Sequence, residues 1–375
     1  MGVLLQMTDS ERVFFVCQSN YLEISRAALR RNAAAVRDAV QVPVIAILKC
    51  DGYGVSICEA AAAWQAEGIT MFGVSRPEEA LELRQAGFDE TILLLCPVVD
   101  VQTLEEMLEN NVILTVSSLE NARFYSENAT DRTIRVHVAI DTGLGRFGIR
   151  WTDTEQAKAV YGLPGLAFEG IFSHFSSSFE PEFAVTKTQL SRFLSMTQAL
   201  QEAGASIGIR HIANSCAALR FPETRLDAVR VGAALIGRLP APTPVKLENI
   251  GVFKAKVVEC KHFEPGDTTG YGCYCKIKKP TDAIVVALGQ MDGFGVISRP
   301  DKLRLVDFAS ALSHIVRGWI HPACVKYNGR RMPLLGRFGS QYTLFDATGV
   351  EIKPGEYVEW EGNLLTASCE KRFVE

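Results

Sequence analysis

The 375-residue sequence lacks an apolar stretch long enough to span a bilayer. Its start, M-G-V-L-L-Q-M-T-D-S, lacks the basic segment and the apolar run of an export signal. No strong charge of either sign is present, because the formal net charge is −4, and this gives no indication of a nucleic-acid or acidic membrane partner. No G-x-x-x-x-G-K-[ST] motif occurs, which disfavours a P-loop enzyme.

Metal-binding and disulfide patterns are also missing. The chain has ten cysteines, but no two of them form a C-x-x-C pair, and Cys273 and Cys275 form only a C-x-C. This spacing does not predict a zinc site or any other metal site. Without an export signal, we expect reduced thiols in the cytoplasm, most of them as small core residues.

Between about residues 21 and 240, short apolar runs alternate with segments of helical spacing. Examples are V-P-V-I-A-I-L-K, T-I-L-L-L-C and R-V-H-V-A-I-D, separated by segments such as R-P-E-E-A-L-E-L-R-Q-A-G. Fully apolar strands joined by amphipathic helices are typical of a parallel sheet covered on both faces. About eight such units fit a (β/α)8 barrel, and an open doubly wound sheet is the alternative.

The pattern changes after about residue 240. Short β-rich segments such as G-V-F-K-A-K-V-V-E-C and E-Y-V-E-W-E-G are separated by P-G-D, Y-N-G-R and K-P-G-E turns. We therefore predict a barrel domain over residues 21–240 and a second, mainly β domain over residues 241–375, together with residues 1–20.

A barrel places its active site at the carboxyl ends of its strands. In this sequence those ends carry Lys49, Arg146, His174, Ser215 and Arg230. Four of them, Lys49, His174, Ser215 and Arg230, have a structural alternative. The lysine could be a surface residue, the histidine a satisfied core residue, the serine a helix N-cap and the second arginine half of an ion pair. Their convergence on one rim favours a site.

This set of residues indicates amine chemistry on a phosphorylated cofactor. A desolvated amine at the end of a buried strand suits Schiff-base formation, which Lys49 could provide. Ser215 and the N–H groups of Gly232 and Ala233 could bind a phosphate. The guanidinium of Arg230, placed against a pyridine nitrogen, would keep that nitrogen unprotonated, because two positive charges repel.

Several motifs in order resemble those of the alanine racemase family, whose members are fold-type III pyridoxal 5′-phosphate (PLP) enzymes. L-K-C-D-G-Y-G resembles K-A-x-A-Y-G-H-G, and D-T-G-L-G-R-F-G is close to D-T-G-M-G-R-x-G. H-I-A-N-S-C-A-A-L, V-R-V-G-A-A-L-I-G and G-D-T-T-G-Y-G-C-Y have family counterparts as well. The resemblance covers nearly the whole chain and implies an isomerase that interconverts L- and D-alanine, or another small amino acid.

The resemblance also implies a role for each matching residue. Lys49 would hold PLP and act as one catalytic base, and Tyr271 would act as the second base in the barrel of a partner subunit, so a head-to-tail homodimer is implied. Arg146 and Ser340 would lie at the substrate carboxylate. The residues implied to bind PLP are Lys49, Tyr53, His174, Ser215, Arg230, Gly232 and Ala233.

The sequence departs from the family pattern mainly around the substrate. Ala139 stands where many members carry a carbamylated lysine, and Gln290 stands in place of an entrance tyrosine. Ser340 and Gln341 replace a Met-Asp pair, and Cys369 could replace a phosphate-binding tyrosine. These departures predict a working PLP site with an altered substrate pocket, and neutral drift in an ordinary alanine racemase is the alternative.

Two other functions share this architecture. The first is a PLP-dependent amino-acid decarboxylase, which is disfavoured because no C-D-S-type motif occurs in the second domain. The second is a homologue that binds PLP without racemase turnover, which the changes near Arg146 and Ser340 keep open. Inversion of a carbon needs an acid and a base on opposite faces, and Tyr271 therefore favours racemisation.

Overall fold

The computed structural model describes residues 19–296, 322–365 and 369–375. The chain divides into two compact units. One unit is Ser25–Ile250 with the terminal Glu375, and the other combines the segment ending at Ile24 with Gly251–Val374. Because the segment before Ile24 pairs with strands from the end of the chain, the second unit is built from both ends of the sequence.

The unit Ser25–Ile250 is a nearly closed barrel of eight parallel strands. Neighbouring strands follow the chain order except where the last strand pairs with the first, and the remaining gap is crossed by a single parallel bridge, His211 to Ala228. This confirms the predicted (β/α)8 barrel. The barrel strands are β2 (Val44–Ile47), β3 (Met71–Val74), β4 (Thr91–Leu94), β5 (Val112–Val116), β6 (Ile134–Asp141), β8 (Leu166–Phe172), β9 (Ile209–His211) and β10 (Val229–Val231).

Helices cover the outside of this barrel. The first helix packs against the third and the ninth. The helices are α1 (Arg26–Val40), α3 (Ile57–Gln65), α4 (Pro77–Gln85), α5 (Val101–Glu109), α6 (Leu119–Glu127), α7 (Thr154–Tyr161), α8 (Ala184–Glu202) and α9 (Ser215–Arg220). The segment α2 (Lys49–Gly54) is a short turn at the carboxyl end of β2 and not part of this outer layer. The strand β7 (Ile149–Arg150) pairs with β6 outside the ring.

The local sequence explains where these elements begin. The strands V-I-A-I of β2 and V-I-L-T-V of β5 are buried at every position, as expected for a sheet covered by helices. Short polar side chains cap the helices: Ser25 accepts from the N–H of Ala28, and Asp100 accepts from the N–H of Thr103. The boundaries are therefore set by burial within strands and by capping at helix starts.

The second unit is built mainly of antiparallel strands, which confirms the mainly β prediction. Its long strand pairs with a neighbour on each side and with a third strand beyond a bulge near Val257. The strands are β1 (Asn20–Ser25), β11 (Gly251–Phe263), β12 (Thr268–Thr269), β13 (Cys275–Lys276), β14 (Thr281–Val286), β15 (Cys324–Tyr327), β16 (Arg330–Pro333), β17 (Thr343–Asp346), β18 (Tyr357–Trp360) and β19 (Glu370–Val374).

The described residues also bear on membrane and metal interactions. Among them, none of the helices combines the length and the apolar character needed to cross a bilayer. Within the same ranges, no group of three His, Cys, Asp or Glu side chains could hold a metal ion. The nine cysteines that the structure describes are all free thiols.

Candidate active site

A cavity of about 450 Å³ opens at the carboxyl ends of the barrel strands. Its walls come from the segments after β2, β3, β4, β6, β8, β9 and β10. The structure therefore brings together every site residue predicted within the barrel. These lining residues are Lys49, Tyr53, Arg146, His174, Ser215, Arg230, Gly232 and Ala233.

Lys49 begins a short turn whose backbone is left-handed. The backbone of Cys50, Asp51 and Tyr53 lies at φ values of 56°, 53° and 59°, in the left-handed region, together with Gly52 at 61°. This conformation costs roughly 1–2 kcal/mol for each residue other than glycine. The lysine Nζ lies 5.7 Å from the centroid of the Tyr53 ring. The strained turn thus carries both Lys49 and Tyr53 into the cavity wall.

Ser215, Gly232 and Tyr53 form one corner of the cavity. The Ser215 hydroxyl accepts from the N–H groups of Gly232 at 3.1 Å and of Ala234 at 3.4 Å. A Cβ added at Gly232 would lie closer than 3.0 Å to the Tyr53 ring, so only glycine fits beside it. Asn214, rather than Ser215, caps α9, which leaves the serine hydroxyl facing the cavity corner. Because the hydroxyl oxygen accepts from both N–H groups, its own hydrogen is left to donate to an anion such as a phosphate.

Arg230 is buried on β10, with 4% of its surface exposed. Its guanidinium donates to the carbonyl oxygens of His211 and Ser173, and to Nδ1 of the His174 ring at 3.1 Å. None of these partners is a carboxylate, so the alternative of a structural ion pair is wrong for the residues that the structure describes. Burial, with Arg146 nearby, lowers the pKa of the guanidinium to about 9, which leaves it charged at neutral pH.

Two further buried histidines, His211 and His137, are linked to Arg230 by hydrogen bonds. The guanidinium donates to Nδ1 of His211 at 2.7 Å, and Nε2 of His211 lies 2.8 Å from Nδ1 of His137. Because Nδ1 of His211 accepts, its Nε2 carries the hydrogen and donates to His137. Burial lowers the pKa of His137 to about 3 and that of His211 well below its usual value, and Arg230 lowers both further. Both rings are therefore neutral.

His174 is the histidine that the sequence singled out. It is half-buried on the cavity wall, and burial together with Arg230, Arg146 and Lys49 lowers its pKa to about 3. A neutral imidazole at this place accepts from the guanidinium through Nδ1 and can offer its other nitrogen to a ligand. His174 thus touches the cavity and is more than a satisfied core residue.

The loop D-T-G-L-G-R carries Arg146 to the cavity. The Asp141 carboxylate accepts from the N–H groups of Gly143, Leu144 and Gly145 at 2.9–3.0 Å. Gly143, Gly145 and Gly148 also match the letters of a dinucleotide-binding G-x-G-x-x-G. The strand β7 follows instead of a helix, and the required context is missing.

The charge of the cavity wall is mostly positive. Lys49, Arg146 and Arg230 contribute three cations, whereas Asp141 is its one lining carboxylate among the residues described and is engaged by three N–H groups. A cavity of this kind attracts anions such as a phosphate ester or an amino-acid carboxylate.

Sequence reasoning missed several residues that support the site. Gln189 on α8 is 2% exposed; its amide nitrogen lies 3.2 Å from the Thr142 hydroxyl and 3.2 Å from the His174 carbonyl oxygen. Gln189 therefore ties the loop after β6 to the end of β8. A glutamine on the apolar face of α8, and histidines inside apolar strands such as His137, are the patterns that could have revealed them.

Tyr271 and Ser340 belong to the other unit. Tyr271 is 85% exposed and lines a second cavity of about 380 Å³ together with Arg337 and Tyr342. Ser340 is exposed, and its carbonyl oxygen accepts from the N–H of Met291 at 3.1 Å. The segments G-Q-M-D-G and G-R-F-G-S-Q-Y are thus neighbours in this unit.

The residues that depart from the family pattern lie in different parts of the structure. Ala139 is buried and lines the barrel cavity. Gln290 and Gln341 are exposed in the second unit, and the N–H of Gln290 donates to the carbonyl oxygen of Gly339. Cys369 lies directly before β19, where burial raises the pKa of its thiol. The role of Cys369 at a phosphate stays a prediction.

Comparison with known sequences gives a consistent result. A sequence model described as "Alanine racemase, N-terminal domain" matches residues 24–240. The curated alanine racemase of Desulfosudis oleivorans is 34% identical over 350 residues, which cover 88% of this chain and 84% of that protein. The alanine racemase of Clostridium tetani is 36% identical over 260 residues, 67% of each chain.

Solved structures agree with these sequence matches. The crystal structure of alanine racemase from D-cycloserine producing Streptomyces lavendulae is 25% identical, with a TM-score of 0.81 and coverage of 96% of this chain and 97% of that one. The alanine racemase of Clostridium difficile 630 shares the fold with a TM-score of 0.83.

Proposed function

Because the chain belongs to the alanine racemase family, whose members are isomerases that use PLP, we propose that it binds PLP and interconverts the L and D forms of alanine or another small amino acid. The observation that carries this proposal is the cavity in which Lys49, Arg146, His174 and Arg230 meet. The barrel unit, predicted from the sequence as residues 21–240 and found as Ser25–Ile250, would hold the cofactor. We propose that the other unit, predicted as residues 241–375 with residues 1–20, contributes to the partner's site.

Residues of the cavity wall would hold PLP at its aldehyde carbon and at its phosphate. Lys49 would attach the aldehyde carbon, and Ser215, Gly232, Ala233 and Tyr53 would hold the phosphate. The fit rests on the corner beside Gly232, where a side chain would collide with Tyr53 and where backbone N–H groups face the serine hydroxyl. When bound, PLP supplies an electron-withdrawing ring that makes the substrate Cα–H more acidic.

Arg230 would face the ring nitrogen, with His174 beside the ring. The partners of this guanidinium are carbonyl oxygens and neutral imidazoles, so its charge is not compensated by a carboxylate among the described residues. An uncompensated positive charge disfavours a proton on a neighbouring ring nitrogen. The arrangement would permit removal of a proton from Cα while suppressing side reactions such as transamination.

Two bases are needed to invert one carbon. Lys49 would hold or take a proton on one face of Cα, and Tyr271 would do so on the other. Tyr271 is exposed in the second unit, and we propose that it completes the cavity of a partner subunit in a head-to-tail homodimer. The phenol that serves each barrel would then come from the sister chain.

Arg146 would bind the substrate carboxylate, with Ser340 from the partner subunit nearby. Arg146 lines the cavity from the loop that Asp141 organises. Ala139 leaves this wall without the acidic group that many members place here, which supports a pocket of altered selectivity. The free thiols support a reducing compartment, the cytoplasm, as the place of the reaction.

Deuterium exchange at Cα, measured in D2O with both enantiomers of a panel of amino acids, tests this proposal. We expect exchange with retention of the carboxyl group for alanine or another small amino acid in the presence of PLP. Carbon dioxide release would indicate a decarboxylase instead. Binding of PLP without exchange for any amino acid would indicate a homologue without turnover. Lys49→Ala should abolish exchange from both enantiomers.

Tyr271→Phe separates the two bases. We expect it to abolish exchange from one enantiomer only, because the phenol serves one face of Cα. Tyr274→Phe is the matched control, since Tyr274 is an exposed tyrosine of the same segment. Wild-type exchange of both enantiomers in Tyr271→Phe would refute the role given to Tyr271.

A further inference from the structure

The turn that carries Lys49 needs an external support. Three of its residues, Cys50, Asp51 and Tyr53, are not glycine and yet lie in the left-handed region. Backbone in a sparsely populated region persists only where surrounding contacts hold it. The contacts that fix this turn therefore also fix where the lysine side chain leaves the backbone.

One such contact comes from Glu79, a half-buried residue on α4 that is outside the cavity lining. Its Oε1 accepts from the N–H of Cys50 at 2.7 Å, the residue directly after Lys49. Its Oε2 accepts from the N–H groups of Ser75 at 2.8 Å and Arg76 at 3.1 Å. A single carboxylate thus joins the loop after β2 to the loop after β3.

Helix capping explains only half of this arrangement. Glu79 is the third residue of α4, and its bond to the N–H of Arg76 is the ordinary capping-box contact. Capping does not require the second oxygen to reach the neighbouring loop. That oxygen binds the N–H of Cys50, at the start of the left-handed residues. Within the turn, the Asp51 side chain accepts from the N–H of Ile57, the first residue of α3, at 2.8 Å.

We propose that Glu79 is a positioning residue for Lys49. It acts through the backbone N–H of Cys50 and holds the left-handed turn in the form that directs the lysine into the cavity. It also holds Ser75, another cavity-lining residue, through the same carboxylate. This inference rests on the proposed function, because it gives Glu79 the role of positioning Lys49, the residue expected to bind PLP.

Three variants of the full-length chain test the proposal. Glu79→Ala removes the helix cap and the contact to Cys50. Asp100→Ala, the matched control, removes only a cap, because Asp100 accepts from the N–H of Thr103 in its own helix α5. Glu79→Gln keeps only one acceptor oxygen, so the side chain can no longer accept from the loop after β2 and the loop after β3 at the same time. This variant is used if Glu79→Ala does not fold.

The first measurement is backbone hydrogen exchange in the chain without PLP. We expect Glu79→Ala to speed exchange in a peptide covering residues 49–56 by roughly 10-fold or more, and Glu79→Gln to do so less strongly. Asp100→Ala should leave this peptide unchanged. The proposal would be overturned if this peptide exchanged at the same rate in Glu79→Ala as in the Asp100→Ala control. If Glu79→Ala does not fold, the same comparison is made with Glu79→Gln.

The second measurement is steady-state kinetics with PLP bound. We expect Glu79→Ala to lower kcat by roughly 10- to 100-fold with little change in KM, because the lysine is misdirected while the substrate contacts remain. Asp100→Ala should keep kcat within about 2-fold of wild type. An unchanged kcat in Glu79→Ala would contradict the proposal. If the wild-type chain does not racemise any amino acid, the proposed function fails, and the exchange measurement still decides the role of Glu79.

Discussion

Replacement of His137 by asparagine should make the protein less sensitive to acid. His137 is 1% exposed, and burial with the charges of Arg230 and Arg135 lowers its pKa to about 3. The unfolded chain takes up a proton at this residue near pH 6.5, whereas the folded chain does not. The stability that neutral His137 contributes is therefore fully present above pH 6.5 and is lost as the pH falls from 6.5 towards 3.

The size of the effect follows from this difference. Between about pH 7.5 and about pH 5, the unfolded chain gains nearly one proton at His137, which corresponds to a loss of about 2 kcal/mol in the free energy of unfolding. The oxygen of the asparagine side chain can accept from His211 in place of Nδ1, but it does not titrate. Packing changes in His137→Asn affect both pH values equally and cancel in the comparison.

The assay is urea unfolding of wild type and His137→Asn at both pH values. Wild type should lose about 2 kcal/mol more than the variant on acidification. His262→Asn is a control of opposite sign, because the Asp282 carboxylate raises the pKa of the exposed His262. Its stabilisation is present below pH 6.5 and lost as the pH rises, so that variant should become more acid-sensitive. An equal pH slope for wild type and His137→Asn would refute the reasoning.

Three further substitutions test other parts of the barrel unit. Gly232→Ala should weaken PLP binding, measured by absorbance titration, and lower stability by about 1–3 kcal/mol, because its Cβ would collide with Tyr53. Asp141→Ala should raise KM by about 10-fold, since it frees the loop that presents the substrate arginine; an unchanged KM would contradict this. Gly170→Ala should lower the melting temperature, because its Cβ would enter the His137 ring; wild-type melting would argue against the buried packing described.

The barrel could be predicted from the sequence because its strands are continuous apolar runs joined by helical patterns. Their carboxyl ends share one edge in any such fold, and this is why Lys49, Arg146, His174, Ser215 and Arg230 could be placed together before the structure was known. These inferences needed only local patterns and one topological rule.

Other features depend on contacts that no local pattern reveals. β1 pairs with β11, more than two hundred residues later in the chain. The left-handed turn could not be predicted from L-K-C-D-G-Y-G, in which only the glycines favour positive φ. The array of His137, His211 and Arg230 comes from three separate strands, whose register is fixed only by the closed barrel.

The strands β9 and β10 are joined by a single parallel bridge, between His211 and Ala228, so their pairing is shorter than that of the other neighbouring strands. Two main-chain hydrogen bonds also cross this junction, from the N–H of Asp227 to the Arg210 carbonyl oxygen and from the N–H of Arg230 to the Ala213 carbonyl oxygen. Side chains add the contacts of Arg230 to His211 and of Arg210 to Asp227. Arg230 thus takes part in the closure of the barrel and also lines the cavity. A substitution at Arg230 would therefore disturb both the closing contact of the barrel and the charge of the cavity wall, so that stability and ligand binding are coupled at this one residue.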